Sequence, residues 1–129
     1  MDDNSMYQNL FYEETDKYLR ALNDDVLRLE DHPEDIEIIH SIFRSAHTLK
    51  GMAATMTKLP HQMESVFQLL KNEELKVSHE LITLIFDCLD TLGDIVLDLQ
   101  NGGGGGLDIT KLVDGLVKIT QTGTVESEE

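Results

Sequence analysis

His47, Lys50, Gly51 and Ala54 are the residues of this chain on which chemistry could turn. They lie in a segment where Ile36, Ile39, Ile42, Phe43, Ala46, Leu49 and Ala53 recur at intervals of three and four residues, the period of a helix that buries one face. At 100° per residue, His47 falls roughly 120° from the centre of that face. Its imidazole should therefore stand in solvent, with Lys50, Gly51 and Ala54 as surface neighbours over the next two turns. A nucleophilic imidazole must be neutral, with one nitrogen free to attack and the other carrying its proton toward an acceptor that fixes the tautomer. A carboxylate on a facing helix would serve. An ammonium one turn away suits phosphoryl transfer, in which catalysis is mostly positioning and charge neutralisation. Glycine inside a helix costs about 1 kcal/mol relative to alanine, so Gly51 asks for a reason, and close approach by another protein is one.

Plainer readings compete. Most exposed histidines do no chemistry, and His40 lies on the same side of the helix two turns earlier. The five histidines, His32, His40, His47, His61 and His79, have spacings that match no compact zinc signature. The five methionines suit core gaps.

The positioning elements are helical throughout, and an all-α antiparallel four-helix bundle with a fifth helix is expected. A first helix from about Ser5 to Glu30 carries Tyr7, Leu10, Phe11, Tyr18, Leu22, Val26 and Leu29 as one apolar stripe. The turn Asp31-His32-Pro33 ends it, and the second helix starts near Pro33, because proline is favoured in a first helical turn. The third begins near Pro60 and presents Met63, Val66, Phe67 and Leu70. The fourth runs from about His79 to Gln100 with Ser78 as N-cap. Residues 1–100 are thus read as the bundle, and 101–106, with five consecutive glycines, as a flexible hinge. Residues 107–120 form an accessory amphipathic helix bearing Leu112, Val113, Leu116 and Ile119, and 121–129 an acidic tail.

With 129 residues the chain fits one ordinary domain. Its net charge of −15 repels nucleic acid and anionic membrane. Cys88, the single cysteine, has apolar neighbours and reads as a buried thiol. The acidic start Met1-Asp2-Asp3 resembles no signal sequence, and no long apolar run follows, so a cytoplasmic location is expected.

The stretch from Ile42 through His47-Thr48-Leu49-Lys50-Gly51 to Met56 closely resembles the phosphoacceptor helix of the CheA family of bacterial chemotaxis histidine kinases. Phe11-Tyr12-Glu13-Glu14 and Leu27-Arg28-Leu29-Glu30 resemble that family's first helix, and His61-Gln62-Met63-Glu64 its third. The resemblance implies a histidine phosphotransfer (HPt) domain at the N-terminus of a dimeric multidomain kinase. His47 would take a phosphoryl group from ATP through a separate kinase domain and pass it to an aspartate of a chemotaxis response regulator. It also implies that Glu64 orients the imidazole, that Lys50 neutralises phosphoryl charge and that His61 joins the surrounding polar network. Gly51 and Ala54 would lie where the partner docks. No cofactor is expected in this domain, ATP and Mg belonging to the kinase domain, and the absence of a glycine-rich nucleotide loop agrees with a phosphoacceptor rather than a catalyst.

One departure bears on this. Members of that family carry about five more residues between the second and third helices, some 7.5 Å of helix, where this chain has only Thr57-Lys58-Leu59-Pro60 before His61. If the second helix ran unbroken through Met56, Gln68 would face His47 and the chain would read as a non-catalytic interaction module that has lost phosphotransfer geometry. Core packing favours instead a second helix that ends near Ala53 or Ala54, which keeps Glu64 beside His47. The isolated domain is expected to be monomeric, although a short hinge also admits a helix-swapped dimer.

Overall fold

A computed structural model describes residues 3–53, 58–103 and 107–122 of the chain. Five helices follow one another: α1 (Asp3–Asp31), α2 (Ile36–Ala53), α3 (Leu59–Lys71), α4 (His79–Gln100) and α5 (Thr110–Thr122). Among the described residues every regular element is helical. Short connections make successive helices antiparallel neighbours. Helix α1 packs on α2 and α4, α2 on α3, and α3 on α4 and α5.

Leu22, Val26 and Leu29 of α1, Ile39, Ile42, Ala46 and Leu49 of α2, Met63, Val66, Phe67 and Leu70 of α3, and Leu81, Ile85, Leu89 and Leu92 of α4 form one core. Each fully buried side chain of this kind is worth about 1.5–3 kcal/mol. The apolar stripe of α1 is shorter than its periodicity suggests. Tyr7 and Leu10 are exposed, because α1 is the longest helix and its first turns outrun the faces it packs against. Ile36 is exposed too, at the first turn of α2.

Helix α2 starts three residues after Pro33. Asp35 supplies the reason, its Oδ1 accepting the backbone N–H of Glu37 (3.0 Å) and of Ile38 (3.4 Å), a cap that meets donors a helix start leaves unpaired. The expected Ser78 cap of α4 is present, with Oγ accepting from the N–H of Leu81 at 3.1 Å. Between α1 and α2, Asp25 is buried and accepts from Ser41 Oγ (2.7 Å) and Arg28 Nη1 (3.2 Å), so this carboxylate does not go unpaired in the core.

The glycine run starts as a helix cap. The N–H of Gly102 bonds to the carbonyl of Leu99 and that of Gly103 to the carbonyl of Asp98. Gly102 has φ +88°, a conformation that L residues other than glycine resist, and a Cβ on Gly103 would collide with the Asp98 carboxylate. Residues 104–106 lie outside the described residues, as does the tail 123–129. Helix α5 begins three residues later than expected, and it belongs to the body of the fold: Leu116 and Ile119 are buried within the common core.

Candidate functional site around His47

His47 sits on the outer face of α2 with 62% of its side chain exposed, because its core-facing neighbours Ala46 and Leu49 take the buried positions. Across the hairpin, α3 places Glu64 level with it. His47 lies six residues before the end of α2 and Glu64 five after the start of α3, about 9 Å and 7.5 Å of rise respectively. The two side chains meet, with Nδ1 of His47 3.1 Å from Oε2 of Glu64. An ionised carboxylate only accepts hydrogen bonds, so Nδ1 carries the proton and donates it. Nε2 is thereby left with its lone pair free.

Lys50 Nζ lies 3.3 Å from both carboxylate oxygens of Glu64. Its charge therefore rests on the Nδ1 side of the imidazole. Glu64 is the most enclosed of the three, with 18% of its side chain exposed, so its bonds to His47 and Lys50 are better sheltered from water than an open surface pair. His61 is exposed, and among the described residues its ring makes no hydrogen bond to this network.

Gly51 is exposed, and a Cβ built on it would meet nothing within 4 Å. The domain's own packing does not require a glycine there. Ala54 and Met56 lie outside the described residues, and so does the course of the chain over 54–57; helix α2 is described as far as Ala53. Gln68, the residue an unbroken second helix would have set against His47, does not take that place.

Two neighbours of the site were not legible as such in the sequence. The Phe43 ring, one turn before His47, stacks on the imidazole at a centroid distance of 6.3 Å and an interplanar angle of 20°. Lys71, in the last turn of α3, holds its Nζ 4.4 Å from the centre of the Phe43 ring. Phe43 reads from periodicity as one more core position, and it is in fact half-buried at the rim. Among the described residues no cluster of three or more His, Cys, Asp or Glu side chains is arranged to hold a metal ion.

The exposed histidine thus has one ring nitrogen tied to a carboxylate and the other free, and the model of the Hpt domain family matches residues 7–95. The chain belongs to the Hpt domain family. Relatives of this Hpt domain include the chemotaxis protein CheA of Listeria monocytogenes, 44% identical over 110 residues that take in 81% of this chain and 18% of the relative. The chemotaxis protein CheA of Bacillus subtilis is 36% identical over 115 residues, 85% of this chain and 17% of the relative. The chain thus spans under a fifth of the length of these relatives. Among solved structures, the solution structure of the histidine phosphotransfer domain of CheA superposes with a TM-score of 0.79 at 35% identity, covering 96% of each chain. The CheA phosphotransferase domain from Thermotoga maritima gives 0.72 at 39% identity, with 98% of that chain covering 76% of this one. The Hpt domain therefore has the helical fold of these CheA domains.

Proposed function

We propose that His47 is the phosphoacceptor of this Hpt domain and that it relays a phosphoryl group from ATP, bound with Mg in a separate kinase domain of the same protein, to an aspartate of a chemotaxis response regulator. The observation that carries this reading is the bond from His47 Nδ1 to Glu64, which leaves Nε2 as an exposed nucleophile. In the first step the Nε2–P bond forms as the bond between the γ-phosphorus and the bridging oxygen breaks, and ADP leaves. The ring retains its Nδ1 proton and gains positive charge, which the Glu64 carboxylate offsets. In the second step the Nε2–P bond breaks while a carboxylate oxygen of the regulator bonds to phosphorus, returning the imidazole to neutrality. Lys50 keeps Glu64 in place and adds positive charge beside the reacting ring.

The docking face takes in His47 and Gly51, where the lack of a side chain on Gly51 lets the partner's backbone approach. No helix among the described residues is long and apolar enough to cross a membrane, and the cytoplasm is the proposed location. Gln68 opposite His47 would have favoured the rival reading, an interaction module with lost geometry. Glu64 occupies that place instead.

The test is incubation of the chain with a chemotaxis kinase core and labelled ATP. Acid-labile phosphate should appear on the chain and disappear in His47→Gln, whose melting temperature should stay close to the parent's because an exposed substitution shifts stability by under about 0.5 kcal/mol. Labelling of the variant at the parent's level would remove His47 from the mechanism.

A further inference from the structure

The phosphoryl group that His47 would carry brings two negative charges to a site where one cation is already committed. Lys50 is bound to both oxygens of Glu64, on the Nδ1 side of the ring and away from Nε2. The other ammonium at the site is that of Lys71. It lies over the face of Phe43 at 4.4 Å, and the same ring stacks on His47. Among the described residues no carboxylate lies within ion-pair distance of Lys71. Arg44 is exposed one turn before His47 and has no such link to the imidazole.

Resting on the phosphoacceptor reading of His47, we propose that Lys71 is a phosphoryl-binding residue, parked on Phe43 in the resting domain and moving to the phosphoryl oxygens once Nε2 is phosphorylated. The face of an aromatic ring attracts a cation through its quadrupole, weakly where water has access. A phosphoryl dianion offers full charge and oxygen acceptors, which make stronger, charge-assisted hydrogen bonds. Lys71 therefore changes partner when the phosphoryl group arrives, and the four-carbon stem of lysine allows the swing without movement of α3. Lys71 stays protonated throughout and makes or breaks no covalent bond. Phe43 acts as a holding surface that keeps the ammonium on the ring that stacks against His47 and out of competition for Glu64.

The experiment uses the whole chain and phosphoramidate, a small donor that phosphorylates histidine with loss of ammonia and needs no partner protein. Phosphorus NMR would follow the pH titration of the phosphohistidine signal that His47→Gln removes. In Lys71→Met the titration midpoint should rise by roughly half a pH unit, the effect expected when a nearby positive charge is lost, and Lys71→Arg should restore the parent value. In the parent, the ε-methylene protons of Lys71, shifted upfield by the ring current of Phe43, should move downfield on phosphorylation. A midpoint unchanged in Lys71→Met, or ε-methylene protons that stay upfield in the phosphorylated chain, would overturn the assignment of Lys71 while leaving His47 as phosphoacceptor. Absence of any signal dependent on His47 would overturn both.

Discussion

At the scale of single residues, the tautomer of His47 is the decisive feature, and it depends on a charge 3.1 Å away. Glu64→Gln keeps the shape and removes the charge. Its amide can donate to Nδ1, which favours the tautomer with the proton on Nε2, the one that cannot attack. Even in a water-like dielectric a charge at this distance is worth about 1.3 kcal/mol, so phosphorylation of His47 should slow by about tenfold or more. Rates of labelling by a kinase core and ATP would check this, and an unaltered rate would show that the carboxylate is incidental. Cys88 makes a second case. Burial, reinforced by the negative charge of Asp87, pushes its thiol up to about 12 from 9.0. In the unfolded chain the thiol ionises near its ordinary value while in the native chain it stays protonated. The unfolded state then binds fewer protons, so stability should fall as pH rises above 9 toward 12. Urea unfolding across that range should show a decline that Cys88→Ala lacks.

At the scale of elements, two helix ends and one helix face can be tested. Helix α3 closes with Glu73 at φ 60°, followed by a bond from the N–H of Glu74 to the carbonyl of Leu69. That left-handed position favours glycine, and an L residue there costs roughly 1–2 kcal/mol relative to the right-handed region. Glu73→Gly should therefore stabilise the domain by up to about 1 kcal/mol once the extra freedom of glycine in the unfolded chain is subtracted; chemical denaturation measures it, and a loss of stability would count against the argument. Helix α5 contributes Leu116, which is fully buried. Leu116→Ala should cost about 2–5 kcal/mol, a loss that an appendage on a loose hinge would not produce. The glycine run that precedes α5 is fixed at its start by the cap on α4, where Gly102 takes a left-handed geometry that other residues resist.

At the scale of the whole molecule, the proposed relay requires the face around His47 to admit a partner. Because a Cβ on Gly51 would meet nothing within 4 Å, the fold tolerates a side chain there. Gly51→Ala should raise stability by about 0.5–1 kcal/mol. Gly51→Phe should also fold, yet transfer to a response regulator should fall steeply because the ring blocks approach, as a phosphotransfer time course would show. Normal transfer by the phenylalanine variant would move the docking surface elsewhere. Helix α3 packs against α2 of its own chain.

Much of this was determined by the sequence alone. Helical periodicity identified the buried faces of α2, α3 and α4, since any helix with those spacings exposes His47 and buries Ala46 and Leu49. The Ser78 cap was legible because capping is local. What periodicity does not contain is how far one helix slides along another. The level meeting of His47 with Glu64 rather than Gln68 depends on burying Met63, Val66, Phe67 and Leu70 together, and only the packed bundle decides it. The exposure of Tyr7 and Leu10 likewise follows from where neighbouring helices stop, which no pattern within α1 records. Phe43 and Lys71 are far apart in the chain and share no motif. Phe43 reaches His47 from one turn earlier in the same helix, whereas Lys71 reaches Phe43 because α2 and α3 pack in that one register, which places the last turn of α3 over the ring.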